Sequence, residues 1–239
     1  MLSSASSHDT VTADERDEGD AVLAISGAGQ PTPELIAEVE ALCARIEDAP
    51  GNPVVVLRLG RTTPGDDPRP AGAPLAVHVV NRWERALRRL ERLDAVTLAA
   101  AEGSCGGPAL EALLSCDYRI GAPDLLLSPP TLSGEPWPGM VLHRLAHQLG
   151  VAKVRQLALF GTELPATRAA EVGLVDEITD DIPGALAARV ALARKLTGSE
   201  VAIRRRLLLE AASTSFEDAL GTHLAACDRT LRRAYSATW

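Results

Sequence analysis

Hydrophobic positions follow two rhythms along this chain, strand-like alternation interleaved with helical spacing as far as about residue 128, and almost unbroken helical spacing from about residue 139 to the end. From Ala21, AVLAIS alternates as a strand does. A Gly/Gln/Pro turn follows, and Thr32, Pro33 and ELIAEVEALCARIEDA then supply an N-cap, an N1 proline and an amphipathic helix in order. PVVVLRL (53–59) is a short β-branched run between Pro and Gly and reads as a buried strand. Gly60 to Pro74 is a loop rich in Gly, Pro and Asp whose length hints at function. Helical spacing returns in LAVHVVNRWERALRRLERL, with Val79, Val80, Trp83, Leu87, Leu90 and Leu93 on one face. AVTLAAAE is the next strand, a helix is expected from Pro108, and YRIGAPDLLLS gives two short strand-like pieces around a Gly-Ala-Pro turn. Beyond PPTLSGEPWPG the spacing predicts helices over about 139–150, 151–160, 165–172, 183–197, 199–213 and 216–234, interrupted by one strand signal in LVDEI (174–178).

This order argues an α/β core followed by a C-terminal helical region. Residues 1–19, rich in Ser, Asp and Glu, read as a solvated tail, residues 20–180 as the core and residues 181–239 as the helical region. With 239 residues and 46% hydrophobic composition the chain has the material for one large core. A net charge of −8, only two Phe and two Tyr, and no long Lys/Arg cluster interleaved with aromatics argue against nucleic acid as a partner. No apolar run approaches the roughly 18 residues that span a membrane, and the N-terminus has neither a basic n-region nor an apolar h-region, so a soluble, cytoplasmic protein is expected. The four cysteines have no CxxC spacing, which points to reduced thiols or a thiol in chemistry and to no metal centre. His143 and His147, at i, i+4, have no third ligand and read as ordinary polar residues.

The chemistry concentrates in AAAEGSCGGPALEALLSCD (99–117). Gly103-Ser104-Cys105-Gly106-Gly107, between a strand and a helix, has the small-x-nucleophile-x-small pattern of a nucleophile elbow, with Asp176 and His223 as available partners. Against it, Pro108 is best placed at N1, which leaves Cys105 three residues outside the helix, and a small residue packed near the sheet is the plainer reading. The same turn offers a second arrangement. With Pro108 at N1, the amides around Gly107 lie at the positive end of a helix and can aim at a developing oxyanion, while Glu111, at i+4 from Gly107, stands on the same face. An amide and a carboxylate so placed suit proton transfer beside a thioester carbonyl. Spacing alone still makes an isolated helical Glu a solvated surface residue.

The run from TLAAAEGSCGGPALEALLSCDYRIGAPD through WPG to LALFGTELPATRAAEVGLVDEI resembles the crotonase (enoyl-CoA hydratase/isomerase) superfamily. Its motif N-G-x-x-x-G-G-G-x-E-L-x-x-x-C-D is met without a gap by Glu102, Gly103, Gly107, Glu111, Cys116 and Asp117, and FGTELPATRAAEVGLVDEI and FEDAL (216–220) are similar to two later segments. The resemblance covers about 95–235 and implies a crotonase-like spiral of ββα units, with a C-terminal helical region that packs between subunits of a trimer or a dimer of trimers. It implies Glu111 as the catalytic acid/base and the Gly107 N–H as one oxyanion donor. Ala71, from Ala71-Gly72-Ala73-Pro74-Leu75, would be the other donor, with Pro74 where the motif has an acid. The second glutamate of two-carboxylate hydratases falls on Thr131, which cannot titrate near neutrality, and a shift of four brings in Glu135 as a substitute. Arg69 is the candidate contact for the CoA phosphates. Coenzyme A is implied as part of the substrate, with no separate cofactor.

Within the superfamily the chain looks most like the small hydratase-like component of 3,5-dihydroxyphenylglycine biosynthesis, on its Ser/Asp-rich start, short loop, WERALRRLERL, CGG-ALEALL turn and WPGM. That resemblance implies a lyase that dehydrates a cyclised polyketide-CoA toward 3,5-dihydroxyphenylacetyl-CoA, an antibiotic precursor, beside a type III polyketide synthase and a second crotonase homologue. Two other readings stay open: a weakly catalytic or non-catalytic partner that stimulates the synthase, motivated by Thr131, and a thiol hydrolase using Cys105.

Overall fold

A computed structural model of the chain describes residues 21–27, 29–60, 75–132 and 134–236. The first elements are β1 (Ala21–Ser26), α1 (Pro33–Asp48), β2 (Val54–Gly60), α2 (Val77–Leu90) and β3 (Val96–Ala101). Short ones follow: β4 (Ser104–Cys105), α3 (Gly107–Leu113), β5 (Tyr118–Gly121), β6 (Leu126–Leu127), β7 (Thr131–Leu132) and β8 (Glu135–Pro136). The rest comprises α4 (Met140–Leu149), α5 (Val151–Phe160), β9 (Leu164–Pro165), α6 (Ala166–Val172), β10 (Glu177–Ile178), α7 (Ile182–Ala193), α8 (Gly198–Ala211) and α9 (Phe216–Ser236).

Strands β1, β2, β3, β5 and β10 form a parallel sheet in that spatial order, with Leu57 of β2 opposite Leu23 of β1 and Ala99 of β3. β3 and β5 are each followed at once by a short strand, β4 or β6, of a second sheet ordered β4-β6-β9. The succession β3-β4-α3 is the ββα step expected above. Both faces of the large sheet are covered, which is why β2 is apolar throughout except at the exposed Arg58. Val55, Leu57 and Leu59 join Ile36, Leu42, Trp83, Leu87 and Leu110 from α1, α2 and α3, while Val54 and Val56 join Val96, Leu98 and Ile120 against Ile182, Leu186 and Ala193 of α7. α7 lies within the segment assigned to the C-terminal region, yet it covers the core sheet.

Local signals operate as read at α1, where Thr32 Oγ1 accepts the Leu35 N–H at 3.2 Å ahead of Pro33. Two boundaries differ. α3 begins at Gly107, one residue before Pro108, because the Gly106 carbonyl already accepts from Ala109 and Leu110. The strand expected over 174–178 is reduced to Glu177–Ile178, since the Leu174 and Val175 amides turn back to the Ala169 carbonyl after the left-handed Gly173 and their side chains enter the core. α8 is fastened by Arg205, which donates to both Asp117 carboxylate oxygens and to the carbonyls of Glu91, Leu93 and Ala95. Asp117 also accepts from the Thr97 amide and hydroxyl, so this motif residue is structural. No described helix is long and apolar enough to cross a membrane.

Candidate active site

Glu111 is the single ionisable side chain of α3, GPALEAL, whose residues 108–113 are all buried. It is 4% exposed, which overturns the solvated default for a helical Glu. Helix α2 supplies its partner: the indole N–H of Trp83 donates to Glu111 Oε2 at 2.5 Å. Burial pushes the carboxyl up from 4.5 to about 7; the Trp83 bond and the Arg144 charge oppose this, and the Glu84 charge adds to it. A carboxyl poised near neutrality can both give and take a proton under physiological conditions.

One turn earlier, Gly107 adopts φ +47°, and a Cβ there would stand 2.6 Å from the Gly29 carbonyl oxygen. Only glycine fits this approach. Its N–H has no hydrogen-bond acceptor among the described residues, whereas the Ala109 and Leu110 amides are taken by Gly106. Pro108, which replaces a motif glycine, has no N–H to offer. Gly107 is therefore the donor that this turn leaves for a ligand.

Both residues line a cleft together with Gly29, Gln30 and Pro31, with Val80, Trp83 and Glu84 of α2, and with Pro130, Thr131, Leu132 and Trp137. That is a mostly apolar lining with a few polar groups, the make-up of a small-ligand site. The WPG segment reaches the cleft because Gly139 has no side chain: a Cβ there would meet the Trp137 ring at 2.5 Å and come within 3.5 Å of Glu111 Oε1.

Of the other residues singled out in the sequence, Thr131 is brought to the cleft wall, exposed, on the β7/β8 hairpin. Glu135 pairs with Leu132 across that hairpin and is exposed, outside the cleft lining, so it does not stand in for a second glutamate there. Ala71 and Arg69 lie outside the described residues. Cys105 is fully buried in β4 and its thiol is pushed up to about 12 by burial, which leaves it protonated and non-nucleophilic at neutral pH. His223 sits on α9, which buries no residue, and the Asp176 carboxylate accepts the Arg119 N–H, so the elbow reading has no assembled partners. The His143 and His147 rings stack at 5.8 Å, and no described group of three His, Cys, Asp or Glu could hold a metal ion.

Sequence reasoning missed the residues that surround Glu111. Trp83 was legible as core but not as a hydrogen-bond donor. Glu84, the next residue of α2, lines the cleft and forms an ion pair with Arg144 of α4 at 2.7 Å; Arg144 in turn bonds Glu91 at 2.8 Å. The only signal was a Glu next to an apolar-face Trp, with its partner 60 residues away.

Comparison with known proteins gives the same picture. A family model described as enoyl-CoA hydratase/isomerase matches residues 76–238. A relative from Amycolatopsis orientalis described as an enoyl-CoA-hydratase is 44% identical over 216 residues, covering 90% of this chain and 97% of the relative. Among solved structures, an enoyl-CoA hydratase/isomerase from Marinobacter aquaeolei superposes with a TM-score of 0.74 at 17% identity, covering 91% of this chain and 90% of the other. A putative enoyl-CoA hydratase from Thermobifida fusca, in complex with acetoacetyl-CoA, gives 0.74 at 20% identity, covering 92% and 94%. These structures establish the crotonase-like fold, and the family model and the Amycolatopsis relative establish descent: the chain belongs to the enoyl-CoA hydratase/isomerase family.

Proposed function

We propose that this protein is a lyase that removes or adds water at a CoA thioester. The observation that carries the reading is the buried Glu111 carboxyl, raised to about 7, on the wall of a cleft shared with the unengaged Gly107 N–H. The thioester carbonyl accepts from Gly107, which stabilises enolate charge as it develops on oxygen. Glu111 moves a proton during the loss or addition of water, giving it to the departing hydroxyl as the Cα proton is taken up by a base, or taking it from the attacking water as Cα is protonated. Coenzyme A enters as part of the substrate, and the Ala71 N–H and Arg69 are proposed as the second carbonyl donor and the phosphate contact. Within this class we favour dehydration of a cyclised polyketide-CoA toward 3,5-dihydroxyphenylacetyl-CoA, beside a type III polyketide synthase and a second crotonase homologue in the cytoplasm. Threonine at 131 supports that choice, because formation of an aromatic product helps drive water loss where the usual second glutamate is missing. Self-association as a trimer or hexamer through the C-terminal helices belongs to the same reading.

Glu111→Gln keeps the shape of the side chain and the hydrogen bond from Trp83 but cannot shuttle a proton. Turnover of 3-hydroxyacyl-CoA and cyclised polyketide-CoA substrates, followed by mass spectrometry, is expected to fall at least about 100-fold. Unchanged turnover removes Glu111 from the chemistry. Thr131 also favours a second reading, a non-catalytic partner that stimulates the synthase. On that reading the Gln variant keeps full stimulation of product formation in the coupled assay, and the wild type alone turns over no thioester.

A further inference from the structure

Removing water from a 3-hydroxy thioester moves two protons, one off Cα and one onto the departing hydroxyl, and Thr131 supplies neither. The cleft nevertheless holds a second carboxylate. Glu84 lines the same cleft as Glu111, and its charge is among the influences felt by the Glu111 carboxyl. Its side chain is 15% exposed, enough to meet a ligand, and is held in place through Oε2 by Arg144 at 2.7 Å. Arg144 is 9% exposed and braced from its other side by Glu91, which also pairs with Arg88. Glu84 Oε1 has no hydrogen-bond partner among the described residues. A fixed, ion-paired carboxylate with one open oxygen, beside a carboxyl that carries a proton part of the time, is the division of labour that two-carboxylate chemistry requires.

We infer that Glu84 is the second catalytic group of this cleft, the base at Cα, working with Glu111. In water loss Glu84 takes the Cα proton, the freed C–H electron pair becomes the C=C bond as the Cβ–O bond breaks, and Glu111 gives its proton to the hydroxyl, which leaves as water. The proton on Glu84 then passes to solvent and Glu111 takes one up, so the enzyme is restored. In hydration the roles reverse: Glu111 deprotonates water and protonated Glu84 delivers to Cα. The second carboxylate thus comes from α2 instead of from the segment before α4. This inference rests on the hydratase/dehydratase reading above.

The two half-reactions can be measured separately. Exchange of Cα protons with D2O on butyryl-CoA and phenylacetyl-CoA reports the base alone, and dehydration of 3-hydroxybutyryl-CoA reports both groups. Glu84→Gln is expected to slow exchange and dehydration at least about 50-fold, while Glu111→Gln slows dehydration at least about tenfold more than it slows exchange. A residue that only braced Arg144 would not produce that split. Glu84→Asp leaves Arg144 its charged partner and guards against a folding defect; its kcat for exchange is expected to fall about tenfold with KM unchanged. Wild-type exchange in Glu84→Gln, or in Glu84→Asp should the Gln variant fail to fold, overturns the role of Glu84. If Glu111→Gln abolishes dehydration in the same assays, the broader reading survives that loss. A wild-type protein that neither exchanges nor dehydrates any of the three thioesters overturns both.

Discussion

A carboxyl group among Ala109, Leu110, Ala112 and Leu113 is costly to ionise, and the fold keeps it there with one indole N–H and one neighbouring guanidinium for relief. Its cost has a defined pH window. Below 4.5 Glu111 holds its proton in both folded and unfolded chains; between 4.5 and about 7 the unfolded chain releases it while the folded protein retains it, so stability falls with rising pH and the loss is complete above about 7. The shift from 4.5 to about 7 corresponds to roughly 3 kcal/mol. Glu111→Gln removes that dependence. Urea denaturation is expected to find the variant about as stable as wild type at pH 4 and more stable by roughly 1–3 kcal/mol at pH 9. An equal difference at both pH values would show that Glu111 does not titrate in this range in the folded protein. The groups that face it, Glu84, Arg144 and Trp83, set the exact position of the window.

At the scale of elements, the site depends on how α3 is launched. Gly107 holds φ +47° while its Cα presses toward the Gly29 carbonyl, so the turn fixes both the free N–H and the position of Glu111 one turn on. Gly107→Ala adds backbone strain and a methyl 2.6 Å from that oxygen. The expected cost is about 1–3 kcal/mol in chemical denaturation, together with a fall in kcat of roughly tenfold or more as the N–H is displaced. A variant with wild-type stability would mean that the turn relaxes freely. How much of this was readable depends on range. The N-cap at Thr32, the apolar stripe of α2 and the buried β2 are local patterns, and the sequence states them within one window. Glu111 as a chemical residue was not local: spacing alone placed it on the surface, and only the motif resemblance raised it. The Trp83 hydrogen bond joins residues 28 apart and the Glu84–Arg144 pair residues 60 apart, contacts that periodicity does not encode. The β7/β8 hairpin, at two residues a strand, is too short to carry an alternation, so the exclusion of Glu135 from the cleft was not visible either.

At the scale of the whole molecule, α9 stands out among the described elements because it buries no residue. α9 runs for 21 residues and buries none of them, and Phe216, Leu220, Leu224, Leu231 and Tyr235 stand 43–75% exposed at spacings that put them on one stripe. Its side-chain ties to α8 include Arg229 and Arg233 to the buried Glu200, pairs whose arginines stay half exposed. A helix held so lightly is marginal, and an apolar stripe of this length is unusual on a monomer. The proposed assembly removes both problems by burying the stripe against other copies of the chain, which the large hydrophobic side chains can drive and the charged residues between them would not oppose from the outer face. Sedimentation velocity at about 20 μM is accordingly expected to give the mass of three or six chains. Leu224→Glu with Leu231→Glu, which places charge in the middle of the stripe, is expected to give single chains whose far-ultraviolet circular dichroism still shows the sheet and the remaining helices, with some loss of helix as α9 frays. Wild-type protein that sediments as a single chain at that concentration would sink the assembly and leave α9 as a helix that persists on local propensity alone.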